Sequence, residues 1–219
     1  MSYEPRTNIQ TDFSDIKKYR KLGSLIIVSG ASGTGKSTIC KTIITSNSNI
    51  EFSVSCTTRF PRNGEVEGKD YFFINTNKFN KLVKDNEFIE YANVHGNYYG
   101  TLKSEVIGRL NAGKDVLLDI DVQGAMIIKE KSKNDSFISK CAEFIFILPP
   151  SLSELEQRLR NRNADTKETI QKRLKAAKNE IDYFPLYDYF VINDNLNKAI
   201  TDMKSVINSF KYKTNRLFL

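Results

Sequence analysis

Short apolar runs alternate with stretches of helical period along most of the chain. Leu25-Ile26-Ile27-Val28 is a continuous apolar run of the kind a buried parallel strand gives. A Gly-rich turn follows, then a predicted helix from Lys36 to about Thr45. Phe52 to Ser55 and Tyr71 to Ile74 read as short strands, and Asn77 to Lys84 as a helix with Phe79, Leu82 and Val83 on one face. Phe88 to Val94 and Tyr98-Tyr99 flank His95-Gly96-Asn97, which predicts a hairpin. Leu102 to Leu110 reads as a helix stopped by Gly113, and Val116 to Ile120 and Phe144 to Leu148 as two further buried strands. Ser151 and Glu154 have capping-box spacing and open a helix through about Arg162. Thr166 to Ile181 carries Ile170, Leu174, Ala177 and Ile181 in helical register. A last strand, Tyr189 to Ile192, precedes an amphipathic helix marked by Leu196, Ala199, Ile200, Met203, Val206, Ile207 and Phe210.

This alternation predicts an α/β fold, a parallel sheet flanked by helices. The stretch from about 52 to 100 breaks it and predicts an inserted lobe with antiparallel strands. Residues 1–22 are polar and carry a basic cluster, Lys17, Lys18, Arg20 and Lys21, and read as an extension preceding a domain at 23–219.

Composition narrows the function classes. The chain has 219 residues, 40% hydrophobic and 27% charged, as an ordinary globular protein has. No apolar run reaches the roughly 20 residues of a membrane span, and the N-terminus has no signal-type apolar stretch. The net charge of +7 is spread along the chain with no nucleic-acid-binding motif, so small phosphorylated substrates account for it better than a polymer. Cys40, Cys56 and Cys141 stand far apart and read as small buried residues. With one histidine in the chain no zinc site is expected, and a reducing, cytoplasmic setting is.

Gly30-Ala31-Ser32-Gly33-Thr34-Gly35-Lys36-Ser37 matches G-x-x-x-x-G-K-[ST] between a predicted strand and a predicted helix, which Thr38 continues. Glycines let such a loop turn several N–H groups toward one anion, and the helix N-terminus adds positive potential. Lys36 is placed to reach β- and γ-phosphates and Ser37 to offer its hydroxyl to magnesium. The motif predicts a P-loop core and ATP as ligand, and leaves the acceptor open.

Further segments carry a resemblance. They are Ser55-Cys56-Thr57-Thr58-Arg59-Phe60-Pro61-Arg62, Gly64-Glu65-Val66-Glu67-Gly68-Lys69-Asp70-Tyr71, Glu87-Phe88-Ile89-Glu90, Gly96-Asn97-Tyr98-Tyr99-Gly100-Thr101 and Leu118-Asp119-Ile120-Asp121. In this order, with the P-loop, they resemble the guanylate kinase family over about residues 24–210. The resemblance implies transfer of the γ-phosphoryl group of ATP to GMP, and to dGMP, giving ADP and GDP with magnesium, in purine nucleotide metabolism. It implies a GMP lobe at about 52–100 and a helical lid at about 155–175. No nucleic-acid or membrane partner is expected, and the protein is expected to be a monomer or weak homodimer.

The same resemblance assigns residues. Arg59 and Arg62, planar and always charged, suit a monophosphate, with the hydroxyls of Tyr71 and Tyr99 completing the grip. Glu90 is the specificity residue: one carboxylate accepts from both N1–H and N2–H of guanine but meets a lone pair at N1 of adenine. Ser55 and Thr101 correspond to hydroxyl contacts at the O6 edge, Thr101 standing where the family commonly has serine. Asp119 and Asp121, two apart on the predicted strand, share a face; both are GMP-side candidates, and Asp119 also a magnesium ligand through water. Arg158, Arg162 and Arg173 match lid arginines, with Arg162 and Arg173 expected over the transferring phosphoryl. Asn193 matches an adenine-side loop. After Arg162 the family usually has Gly and Thr, whereas this chain has Asn163 and Ala164, a departure that bears on lid geometry. His95 is expected to have no catalytic role. Two alternatives stand beside this reading: another P-loop nucleoside monophosphate kinase, and a non-catalytic interaction module of the same fold.

Overall fold

The computed structural model describes residues 20–94, 96–161 and 167–218. Residues 1–19, with Lys17 and Lys18 of the basic cluster, His95, Arg162 to Thr166 and Leu219 lie outside the described residues. In chain order the strands and helices begin with β1 (Arg20–Lys21), β2 (Leu25–Ser29), α1 (Lys36–Thr45), β3 (Ile50–Phe52), β4 (Cys56–Thr57) and β5 (Phe72–Phe73). They continue with α2 (Thr76–Lys84), β6 (Phe88–Val94), β7 (Asn97–Leu102), α3 (Ile107–Asn111), β8 (Asp115–Asp119), α4 (Val122–Ser132) and α5 (Ser136–Cys141). The last are β9 (Ala142–Leu148), α6 (Leu152–Arg160), α7 (Lys167–Ile181), β10 (Tyr189–Ile192), α8 (Leu196–Ser209) and β11 (Leu217–Phe218).

Five strands form a parallel sheet in the order β10-β9-β2-β8-β3. Every residue of the central strand β2 is buried, as its unbroken apolar run requires. Successive side chains point to opposite faces and build two cores. On one face Leu25, Ile27, Val116, Leu118 and Phe144 meet Val106, Leu110, Ala125 and Ile128. On the other, Ile26, Val28, Leu117, Ile145 and Ile147 meet Ile39 and Ile43 of α1 and Ala199, Met203 and Ile207 of α8. A third cluster joins Ala31 of the Gly-rich loop to Leu155, Leu159, Ile170 and Ala177, so α6 and α7 pack directly on that loop.

The second sheet, β5-β4-β7-β6, has its own small core of Cys56, Phe79 and Phe88, with Phe79 and Phe88 stacked 4.6 Å apart. Its β4–β7 and β6–β7 pairs are antiparallel, as expected, but β4 and β5 run parallel. The strand predicted over Phe52 to Ser55 is a crossing between sheets: Ser53 N–H bonds Leu117 O at 3.1 Å in the first, while Ser55 O accepts from Phe72 N at 2.9 Å in the second. The helix predicted from Leu102 splits into a 3-10 turn at Lys103–Glu105 and α3. The strand expected over Val116 to Ile120 runs from Asp115 to Asp119. Asp121 instead caps α4, its carboxylate accepting from Gly124 N at 3.0 Å, so it shares no strand face with Asp119.

Arg20 and Lys21 pair with Phe218 and Leu217 at the base of the large sheet. Beside that pairing Arg216 is 1% exposed, bonded to Ser24 Oγ and Phe210 O, with Glu143 Oε1 at 3.5 Å. Lys213 reaches the other oxygen of Glu143 at 2.7 Å. Among the described residues no helix is long and apolar enough to cross a membrane.

Candidate nucleotide and phosphoryl-acceptor site

The loop after β2 is held open by its backbone and by two buried polar groups. Gly33 and Gly35 have φ of 95° and 87°, values that side-chain-bearing residues rarely adopt. Gly35 stands as the N-cap of α1 with no side chain to take up the first N–H groups of the helix, which leaves them for an anion. Thr34, fully buried, closes the loop by donating Oγ1–H to Ala31 O at 2.9 Å. Asn193, also buried, donates from Nδ2 to Thr34 O at 2.7 Å. Its amide is therefore committed beneath the loop, where it props the main chain.

Asp119, at the end of β8, joins both functional side chains of the motif. It is ion-paired to Lys36 and accepts from Ser37 Oγ at 2.9 Å. Burial pulls the Lys36 ammonium below the ordinary lysine value, against the pull of Asp121 and Glu180.

One cavity of about 370 Å³ joins this loop to the second sheet. Residues 30–38 line one end, Ser55, Tyr71, Glu90, Ala92, Val94 and Tyr99 the other, and Asp119, Ile120, Asp121 and Glu180 lie between. It opens at the C-terminal ends of β2 and β8, where open parallel sheets bind ligands.

Glu90 is the unusual group at the far end. It is 3% exposed, opposite Thr101 in the β6–β7 register, and accepts from Thr101 Oγ1 at 2.6 Å. A register shift between Phe88 and Glu90 buries Phe88, Ile89 and Glu90 in succession, as a bulge allows. Burial pushes the Glu90 carboxyl from 4.5 up to about 7, the Thr101 hydrogen bond opposing and Asp121 adding to the rise. Gly124 makes room for it: a Cβ there would lie 2.6 Å from Glu90 Oε2.

Tyr71 and Tyr99 meet edge to face at 5.9 Å, and the Arg59 guanidinium lies 5.4 Å from the centre of the Tyr71 ring. Arg59 Nε donates to Tyr99 OH at 3.2 Å, while its two terminal nitrogens each donate to Glu65 at 2.9 Å.

The cavity brings together residues 30–38, Ser55, Tyr71, Glu90, Tyr99, Asp119 and Asp121, with Thr101 bonded behind Glu90. Arg59, Arg62, Arg158 and Arg173 do not line it. Arg62 is exposed, Arg158 donates to Glu154 at 3.1 Å along α6, and Arg173 is half-buried on α7. Arg162 lies outside the described residues. Sequence reasoning named neither Glu180 nor Gly124. Glu180 falls three residues after Ala177 on the helical face that packs on the loop, a spacing that could have flagged it; Gly124 gave no local signal.

Fold and cavity together define a P-loop nucleotide-binding protein with a second, mixed sheet across the cleft. Comparison with known proteins makes this specific. The family model described as Guanylate kinase matches residues 22–210. A guanylate kinase of Clostridium tetani is 47% identical over 195 residues, 89% of this chain and 90% of the relative. One of Fusobacterium nucleatum is 50% identical over 85% of this chain and 96% of the relative. The crystal structure of guanylate kinase from Anaplasma phagocytophilum superposes with a TM-score of 0.74 at 32% identity, covering 91% of this chain and 92% of that one. The chain belongs to the guanylate kinase family.

Proposed function

We propose that the protein transfers the γ-phosphoryl group of ATP to GMP, releasing ADP and GDP, and that dGMP, with the same base and phosphate, is also accepted. The observation that carries this reading is the single cavity that places a P-loop and a buried carboxylate, Glu90, at its two ends. An oxygen of the GMP phosphate attacks the γ-phosphorus while the bond to the β-phosphate bridging oxygen breaks. The acceptor is already an anion, so no strong general base is called for, and catalysis is positioning and charge neutralisation.

The loop N–H groups of residues 30–38 and Lys36 hold the ATP phosphates, and Asn193 acts on ATP through the loop it props. Glu90 accepts both N–H donors of the guanine edge, Thr101 and Ser55 flank it, and Asp121 adds a contact on the GMP side. Tyr71 and Tyr99, with Arg59 and Arg62, take the phosphate. Ser37 and Asp119 present hydroxyl and carboxylate oxygens, the hard donors magnesium prefers, Asp119 acting through water. Magnesium held there would supply positive charge against the phosphates. The lobe at about 52–100 binds GMP. Arg158, Arg162 and Arg173 belong to a lid at about 155–175 that closes over the γ-phosphoryl group and excludes water. A cytoplasmic monomer or weak homodimer completes the reading. The intact Lys36 and Ser37 favour an enzyme over a purely interacting module.

A coupled assay of ADP release tests it, with GMP, dGMP, AMP, dTMP, CMP and UMP, with and without magnesium. Turnover is expected with the two guanine monophosphates and only when magnesium is present. Strong preference for any other base would overturn the substrate, and no ADP with any acceptor would overturn the enzyme.

A further inference from the structure

We infer that Glu65 is the positioning residue of the acceptor-phosphate grip, fixing which edge of Arg59 faces the cavity and where Arg62 stands; this rests on the GMP reading above. A guanidinium has five N–H groups and two edges able to take a pair of oxygens. On Arg59 the end-on edge is filled: Nη1 donates to Glu65 Oε2 and Nη2 to Glu65 Oε1, both at 2.9 Å. Nη1 also donates to Phe60 O at 2.7 Å. The side-on edge, Nε and the second Nη2 hydrogen, is the one turned away from Glu65. Nε already points at Tyr99 OH, and Tyr99 lines the cavity whereas Glu65 does not.

The same carboxylate holds the second arginine. Glu65 Oε2 accepts from the backbone N–H of Arg62 at 2.7 Å. A turn makes this reach possible: Glu65 N–H bonds Arg62 O at 3.1 Å, and Gly64 between them has φ of 85°. Arg59 and Glu65 side chains are 13% and 19% exposed, so the pair is sheltered from solvent exchange. Glu65 and an incoming phosphate thus use different edges of Arg59 and do not compete.

The test compares wild type with Glu65→Gln and Glu65→Asp, reading steady-state kinetics, thermal unfolding, and binding of GMP, guanosine and ATP by calorimetry. In Glu65→Gln one oxygen is replaced by an NH₂ group that faces an arginine donor. Its KM and Kd for GMP are expected to rise about tenfold, with kcat within about twofold and ATP binding unchanged. Guanosine, which lacks the phosphate, is expected to bind both proteins equally, and Glu65→Asp to restore part of the loss. Tighter GMP binding would make Glu65 a competitor and overturn the inference. So would an equal loss for GMP and guanosine, which marks a disturbed lobe, or no change at all. A wild type that makes no GDP would overturn the function instead, while the binding comparison would still decide the role of Glu65.

Discussion

The two ends of the cavity are built by different means, one from main chain and one from side chains. At the P-loop end the binding groups are main-chain N–H groups, set by two glycines of positive φ and propped from below by Thr34 and Asn193. At the other end the candidate groups are side chains bonded to one another: Glu90 to Thr101, and Tyr99 of the cavity wall to Arg59 behind it, which is held in turn by Glu65. A backbone cradle is specified by a short contiguous motif whose glycines set the main chain. The side-chain end depends on a register, a bulge and a turn, so it is more easily disturbed. The expected effects of substitution follow that division.

The largest falls on the backbone cradle's one indispensable side chain. Lys36→Ala should lower kcat by roughly a thousandfold with little change in unfolding temperature, because the desolvation of the largely buried ammonium offsets most of what its ion pair to Asp119 contributes. A comparable loss in thermal stability would mean that the ion pair to Asp119 builds the loop.

Glu90→Gln comes next. The amide offers a donor where guanine also offers donors, so kcat/KM for GMP should fall about a hundredfold. The pH dependence separates this from a packing defect. A protonated Glu90 cannot accept both N–H groups, so kcat/KM for wild type should decline below about pH 7, with an inflection that Glu90→Gln lacks. Stability runs the opposite way. The folded-state value of about 7 lies above the ordinary 4.5, so the folded chain holds the proton more tightly than the unfolded chain does. That contribution is fully present below about 4.5 and is lost as pH rises through 7. Glu90→Gln should therefore be the more stable protein at pH 8, by on the order of 3 kcal/mol, and lose that advantage at pH 4. Chemical denaturation at the two pH values checks it.

Gly124→Ala places a methyl 2.6 Å from Glu90 Oε2 and should raise KM for GMP about tenfold without affecting ATP. An equal shift for both nucleotides would mean that the whole of α4 has moved. The smallest effect is expected for Thr101→Ser, which keeps the hydroxyl that Glu90 uses; kinetics should stay within about twofold of wild type.

Much of this geometry could be read along the chain. The five-strand core followed from short apolar runs, the P-loop from its spacing, and α6 from Ser151, whose hydroxyl accepts from Glu154 N at 3.1 Å as the capping pattern requires. What stayed hidden depends on contacts between distant residues. α4 and α5 lie in a stretch where Lys and Ser interrupt the apolar period, and their starts are set by the caps Asp121 and Asp135. Asp121 looked like a strand residue because nothing local distinguishes a cap from a pleat. Arg59 could be named as a phosphate ligand, but the edge it presents is decided by a turn six residues on. Glu180 enters the cavity only because α7 packs on a loop some 150 positions earlier in the sequence.

The pairing of β1 with β11 has a consequence for how the molecule is handled. Lys213 to Phe218 follow the family-matched stretch, yet they plug the floor of the large sheet, opposite the mouth of the cleft. Clipping them would strand the carboxylate of Glu143 without its cations, at a cost of about 3 kcal/mol. A change in this segment is therefore felt at the base of the sheet, on the side away from the cavity.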